Sequence, residues 1–469
     1  NVDGTGNIDV DPMFVDTANG NYNLLASSML INAGHPESTD SDGSRADIGA
    51  YPYLNSYSGP TWYITESGND TTATGASDYP FRSIQAGINF SSNTDSVTVA
   101  AGTYVENINF RGRNIKVLGE DRETTIIDGD SSGSVVTFNG GENRDAFLKN
   151  FSIINGAGNS ISEPEKSSFG GGIQCYYSSP TLENLLVYNN NAGNESEGGW
   201  GQGGGIAIQS GSPLINNCRI YSNSTGADGG GLFIASEDGA KLQNVIISEN
   251  VAGAAGGGIY GEGIFEVNRS LIKDNYCTTF GAPGIDCSVS DVKIINSVIT
   301  NNLGGDFSGG LRFQGNGSKA EIIHSVFWGN SGKEMYISND DSLIISYSDI
   351  DGDIDSVYSE NNGIIEWGSG NIDVDPMFVD TANGDYHLLA SSQLINGGHP
   401  DSLDSDGSRA DMGAFPYLNS YSGPTWHIAE SGNDTTASGA SDDPFRSIQS
   451  GINFSSDADS VTVAAGTYV

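Results

Sequence analysis

The stretch Asn244-Val245-Ile246-Ile247-Ser248-Glu249-Asn250 decides the fold. Its three apolar residues sit between two Asn, a short β-branched run closed by a turn former at each end. The same form, Asn-x-apolar-apolar-x-x-Asn, returns at 184–190 and 296–302, and with departures at 217–223, where Arg219 takes an apolar position, and at 324–330, which opens on His324. Ahead of these runs, apolar residues that mostly follow Gly-Gly pairs fall at Ile173, Ile206, Leu232, Ile259, Ile285 and Leu311. The steps between them are 33, 26, 27, 26 and 26 residues. A repeat of this length, holding two or three short strands with Gly and Asn at the corners, predicts an all-β parallel β-helix in which each coil adds one strand to each sheet. Gly supplies left-handed backbone at the corners without a Cβ clash, and Asn is the next most tolerant residue there. Asn190, Asn223, Asn250, Asn275, Asn302 and Asn330 stand one coil apart, so the spacing predicts a structural amide ladder along one edge. No 12-residue stretch keeps a helical period, and the best helical pattern is Ser83 to Phe90, where Ile84 and Ile88 share a face.

A longer repeat encloses the shorter one. Residues 7–105 match 371–469 without a gap at an offset of 364, with 84 identities in 99 positions. The expected organisation is the C-terminal part of a preceding module (1–53), a linker (54–60), a complete module (61–417), a second linker (418–424) and the start of another module (425–469). Within the complete module, 61–110 reads as cap and first coils, 111–348 as coils and 349–417 as an Asp-rich terminal segment. The chain opens on Asn without a charged-then-apolar leader and reads as a fragment of a longer array.

Composition limits the partners. There are 59 acidic residues against 19 basic, a formal net charge of −40, so nucleic acid is excluded as a partner. No apolar run is long enough to be a transmembrane helix.

Two stretches carry a resemblance. The run Pro80-Phe81-Arg82-Ser83-Ile84-Gln85, through 95–99 to Gly102-Thr103-Tyr104-Val105-Glu106-Asn107-Ile108, resembles the opening of right-handed parallel β-helix proteins of the pectate-lyase-like superfold. The stretch Asn371-Ile372-Asp373-Val374-Asp375-Pro376-Met377-Phe378, with 385–388 and 404–414, is similar to the terminal segment of bacterial "choice-of-anchor" surface proteins. The resemblance implies secretion to a bacterial cell surface and no particular chemistry, because the superfold hosts lyases, hydrolases, adhesins and inert stalks.

The search for chemistry begins with polysaccharide cleavage. The coils offer one His, His324, and their basic residues recur about once per coil without clustering. The paired Asp and Gly-His-Gly of polygalacturonases are missing, so the expectation is that the chain is not an enzyme. Metal binding has two candidates. In Asp349, Asp351, Asp353 and Asp355 acids alternate with other residues, which on an extended chain points four carboxylates to one side and suits Ca²⁺. In Asp40, Asp42 and Asp47, repeated as Asp404, Asp406 and Asp411, an Asp-x-Asp-Gly opening resembles a calcium loop but lacks the Glu at its twelfth position. The alternative is that these Asp and Gly build turns, with Arg45 paired to an acid. No other cofactor is expected. Trp200, Tyr176 and Tyr177 are candidates for sugar stacking, while Trp328 reads as packed. Cys277 and Cys287 admit a disulfide or buried free thiols.

The leading expectation is a structural or adhesive extracellular protein, an acidic rod or filament at a bacterial surface. Its partners would be neighbouring modules, other copies of the protein, or a surface polysaccharide. The alternative is a carbohydrate-active β-helix protein, either a polysaccharide lyase or hydrolase or a sugar-binding module.

Overall fold

The structure, a computed structural model, describes residues 6–160, 167–193, 200–279, 281–315, 317–338 and 340–468. The chain divides into two compact units, residues 1–240 and 241–469, and the division falls inside the strand Leu232–Gln243. It therefore lies within the stretch expected as one module.

In the first unit the strands Gly102–Val105, Thr125–Asp128, Ser152–Ile154, Leu186–Tyr188 and Arg219–Tyr221 pair in parallel, each one coil after the last. In the second unit Ile246–Ser248, Leu271–Lys273, Val298–Thr300, Val326–Trp328 and Asp349–Ile350 do the same. Parallel neighbours joined by crossovers, coil upon coil, make this an all-β right-handed parallel β-helix. The inward positions of these strands are Ile127, Ile153, Val187 and Ile220 in one unit and Ile247, Ile272, Ile299, Phe327 and Ile350 in the other, all fully buried. Each such burial contributes roughly 1.5–3 kcal/mol, so this one row is a large share of the core.

The Asn ladder is present. Asn190 Nδ2 donates to Asn223 Oδ1 at 3.0 Å, and in the second unit Asn250, Asn275 and Asn302 donate to Oδ1 of the next Asn at 2.9–3.0 Å. Each backbone N–H bonds the same oxygen at 3.0–3.1 Å. The Gly-Gly pairs lie against this edge. A Cβ on Gly258 would stand 2.7 Å from Gly284 O and 3.0 Å from Asn275 Nδ2, too close for any side chain.

A second ladder was not read from the sequence. Ser270, Ser297, Ser325 and Ser348 accept, at Oγ, the backbone N–H of Val245, Ser270, Ser297 and Ser325 at 3.1–3.2 Å. These serines follow Arg269, Asn296, His324 and Tyr347, which with Asn244 form a corner row, all left-handed with φ of 47–54°. The expected helix is Ile84–Phe90, with Ser83 Oγ accepting Ala86 N–H as its cap.

The terminal segment 371–417 packs over the outward face of the second unit's sheet. Tyr386, Leu388, Leu394, Ile395, Met412 and Ala414 bury against Leu271, Val298 and Val326. The corner row supplies the polar fastenings where it departs from Asn. His324 Nε2 accepts His399 N–H at 2.8 Å, Arg269 stands 3.7 Å from Asp404, and the Tyr347 and His399 rings meet at 4.8 Å.

Candidate functional site

The alternation that points Ile259, Ile285, Leu311, Met335 and Val357 inward turns the next residue of each strand outward. Register places Tyr260, Asp286, Arg312, Tyr336 and Tyr358 side by side in one row across five coils. Arg312 Nε donates to Asp286 Oδ2 at 2.6 Å and Nη2 donates to Oδ1 at 3.2 Å, with both side chains buried. Asp286 Oδ2 also accepts Ala282 N–H at 2.7 Å. Burial raises the Asp286 carboxyl above its ordinary value, with Arg312 and the amide pulling against it.

Aromatic rings continue the row. Phe307 lies 5.9 Å from the Arg312 guanidinium carbon and 5.0 Å from the Tyr336 ring. Tyr336 and Tyr358 stack at 5.3 Å and 23°. The Tyr336 hydroxyl donates to Glu360 Oε2, and desolvation, then this carboxylate, push its pKa up to about 12. Phe307 is 42% and Tyr358 46% exposed, so the two ends of the aromatic run face solvent while Tyr336 between them is buried. The arrangement is an aromatic shelf with a fixed ion pair behind it and an exposed carboxylate, Glu360, at its rim. A shelf of this kind offers ring faces for stacking and a few oriented polar groups. The sequence did carry a signal: Tyr260, Asp286 and Arg312 follow the indexed Ile259, Ile285 and Leu311 at the same 26-residue step.

The predicted aromatic residues lie elsewhere. Trp200 is 70% exposed and Tyr177, edge-on to Tyr176, is 64% exposed. Trp328 packs against the terminal segment.

The acidic clusters differ from expectation. Asp349 is buried in strand Asp349–Ile350, where Oδ1 accepts Val374 N–H at 3.1 Å, and burial pushes its pKa up to about 8. Gly352 then turns left-handed at φ 79° and Asp353–Ser356 forms a 3-10 helix, so Asp349, Asp351, Asp353 and Asp355 do not share the side that an extended chain would give them. In the terminal loops the carboxylates cap backbone amides. Asp42 accepts Ser44 and Asn55 N–H, Asp40 accepts Asp47 N–H, and Asp47 accepts Asn32 and Tyr53 N–H, at 2.7–3.0 Å. Asp404, Asp406 and Asp411 repeat every one of these bonds. Arg45 and Arg409 donate to the carbonyls of Gly34 and Gly398, so neither makes the expected pair with the neighbouring acid. Among the described residues no group of three or more His, Cys, Asp or Glu is placed to hold a metal ion.

Of the two readings for Cys277 and Cys287, the structure has the buried free thiols. Cys277 and Cys287 are free and buried, as are Cys175 and Cys218. The Cys277 thiol turns to Gly281 O at 3.1 Å, whereas Cys287 stands in the inward row between Gly261 and Phe313. Burial pushes the Cys277 pKa up to about 12 and Cys287 well above its ordinary value.

No protein-family model matches the chain, and no curated protein is similar to it. Among solved structures it is similar to the pectate lyase Pel9A, at 17% identity over 76% of this chain and 96% of that one, with a TM-score of 0.46. It is also similar to a pectin methylesterase from carrot, at 12% identity over 68% and 90% of the chains and a TM-score of 0.30. A third is a lacto-N-biosidase from Eubacterium ramulus, at 10% identity over 67% and 68% and a TM-score of 0.27. At these identities the likeness shows the fold alone. All three are enzymes by their descriptions, so the expectation that this chain is not an enzyme finds no support in the comparisons and is withdrawn. The adhesive rod finds no support among them. No helix of the described residues is long and apolar enough to cross a membrane.

Proposed function

We propose that the chain is a secreted carbohydrate-active β-helix protein that seats a glycan on the shelf formed by Phe307, Tyr336 and Tyr358. The observation that carries this reading is the exposed Tyr358 ring stacked on Tyr336, beside the Asp286–Arg312 pair and the Glu360 carboxylate. Arg312, the cation of this row, is already held by Asp286 in a two-bond fork, so among the described residues of the row none is left over for a uronate carboxylate. With a net charge of −40, the chain favours a neutral or weakly charged sugar over a strongly anionic one. We assign the acid–base role at a bound glycosidic oxygen to Glu360, a reading supported by its exposure at the rim of the shelf and its contact with the Tyr336 hydroxyl.

Affinity electrophoresis and reducing-end release against a panel of neutral and acidic polysaccharides test this. Retardation by a neutral glycan is expected, lost in Tyr358→Ala. Products are expected to be lost in Glu360→Gln while binding persists. A panel with neither binding nor product overturns the reading.

A further inference from the structure

Three of the chain's 19 basic residues meet at one cavity in the first unit, although the net charge is −40. Arg45 reaches it from the segment 7–53, and Arg111 and Arg113 reach it from the turn after strand Ile108–Asn109. The cavity encloses about 460 Å³, and neither Asp nor Glu lines it. Arg45 is exposed and the other two are half-buried. Among the described residues none of the three forms an ion pair, and what they hold is neutral. Arg45 Nε donates to Gly34 O at 2.7 Å and Nη2 to Ala33 O at 3.4 Å. Arg111 Nη1 donates to Ile31 O at 3.1 Å and to Asn89 Oδ1 at 2.6 Å. Arg113 Nε donates to Ser91 O at 3.0 Å and Nη2 to Asn89 O at 3.2 Å. These bonds fasten segment 7–53 and the end of helix Ile84–Phe90 to the first coils. They leave Arg45 Nη1, Arg111 Nη2 and Arg113 Nη1 with no acceptor among the described residues.

The charge is concentrated as well as uncompensated. Burial and then Arg45 pull the Arg111 pKa down to about 10, with Asp47 opposing. Burial, then Arg111 and Arg45, pull Arg113 down to about 9. Asp47 itself is engaged, since its oxygens accept the N–H groups of Asn32 and Tyr53. The opening belongs to the joint between terminal segment and cap. In the second copy the equivalent residues Asn396, Ser408, Arg409, Phe454, Ser455 and Ser456 also surround a cavity, of about 580 Å³. Segment 371–417 lies there on the coils from Ile246 to Ile350, and no residue of those coils lines the cavity.

We propose that Arg45, Arg111 and Arg113 form a binding site for a doubly charged tetrahedral oxyanion, sulfate or phosphate, as the free ion or as an ester. A guanidinium fork matches two oxygens of such a group, and one fork would satisfy a planar carboxylate. Three cations arriving from two sides suit a dianion with oxygens on every side. The bound ion relieves the repulsion among the three and ties segment 7–53 to the coils, so it stabilises the fold. The site uses no residue of the aromatic shelf.

The test is isothermal titration of the full chain with sodium sulfate, sodium phosphate and sodium acetate at constant ionic strength in chloride, with thermal melts alongside. Saturable binding of sulfate or phosphate is expected, tighter than acetate and accompanied by a higher Tm. Arg45→Gln is expected to weaken it about tenfold, the loss of one charged hydrogen-bonding partner. Ser92→Glu, at an exposed lining residue, sets a carboxylate beside the guanidiniums. It is expected to abolish anion binding and to raise Tm without added sulfate. Glucose 6-sulfate and glucose 6-phosphate are titrated beside the free ions: tighter binding of the esters assigns a carried group, and equal or weaker binding assigns the free ion. The absence of saturable binding by either dianion overturns the proposal, as does binding that both variants leave unchanged or acetate binding as tight as sulfate.

Discussion

Asn330 ends its ladder on Glu334: its Nδ2 donates to Oε2 at 2.6 Å and its backbone N–H donates to Oε1 at 3.1 Å. Within this coil a carboxyl does what the amide of the next Asn does elsewhere. Burial pushes its pKa up to about 7, with the Asn330 bonds opposing. Glu334→Ala is expected to leave two buried donors unmet and to destabilise by about 2–3 kcal/mol. Glu334→Gln, which keeps one acceptor, should recover part of that loss. Urea unfolding of the three proteins checks the order; equal midpoints would mean that the ladder needs no terminal acceptor.

In the middle of the ladder Asn275 both donates to Asn302 and accepts from Asn250. Asn275→Leu is close in volume but removes both functions. The expected cost is about 2–4 kcal/mol, because the Asn250 amide groups are stranded in a fully buried edge. Thermal melts of the full chain read it.

Stability should rise on acidification from pH 8 to pH 5. Glu106 and Asp411, like Glu334, are pushed up to about 7 and Asp349 to about 8, all chiefly by burial. A carboxyl whose pKa is higher in the folded state holds more protons there than in the unfolded chain. Its contribution is therefore full below about 4 and is lost as pH climbs to about 8. His324 opposes this, since burial lowers its pKa to about 4 and its contribution fades as pH falls through 6.5. Four carboxyls against one imidazole set the sign, and relief of the −40 net charge adds to it. A Tm higher at pH 5 than at pH 8 by on the order of a few degrees is expected; the reverse order would show that these carboxyls stay ionised.

The four thiols are buried. A thiol-specific disulfide reagent is expected to label none within minutes in native buffer and all four in 6 M guanidinium, about the concentration that unfolds most domains. Detection of a Cys277–Cys287 peptide by non-reducing mass spectrometry would contradict the structure.

On the shelf, Tyr358→Ala should weaken glycan binding by about tenfold, the loss of one stacked ring, with Tm nearly unchanged because the side chain is 46% exposed.

The coil, its 26-residue step, the Asn ladder, the corner row and the cap helix were legible in the sequence because each depends on spacing along a single chain. A Gly precedes each of Ile173, Ile206, Leu232, Ile259, Ile285 and Leu311 because the ladder runs too close for a Cβ, and that constraint is written locally. The serine ladder and the Asp286–Arg312–Tyr336–Tyr358 row were equally periodic, one residue from positions already indexed, and needed only the register to be read outward. The acidic stretch at 349–355 was misread because alternation aligns carboxylates only if the chain stays extended, and Gly352 with its 3-10 turn ends the strand after Ile350. What only the tertiary structure decided was burial. Leu271, Val298 and Val326 lie on the outward side of their strands, where alternation would leave them to solvent, yet they are sealed because the terminal segment 371–417 folds over them; coverage belongs to the neighbour a strand meets and not to its own sequence.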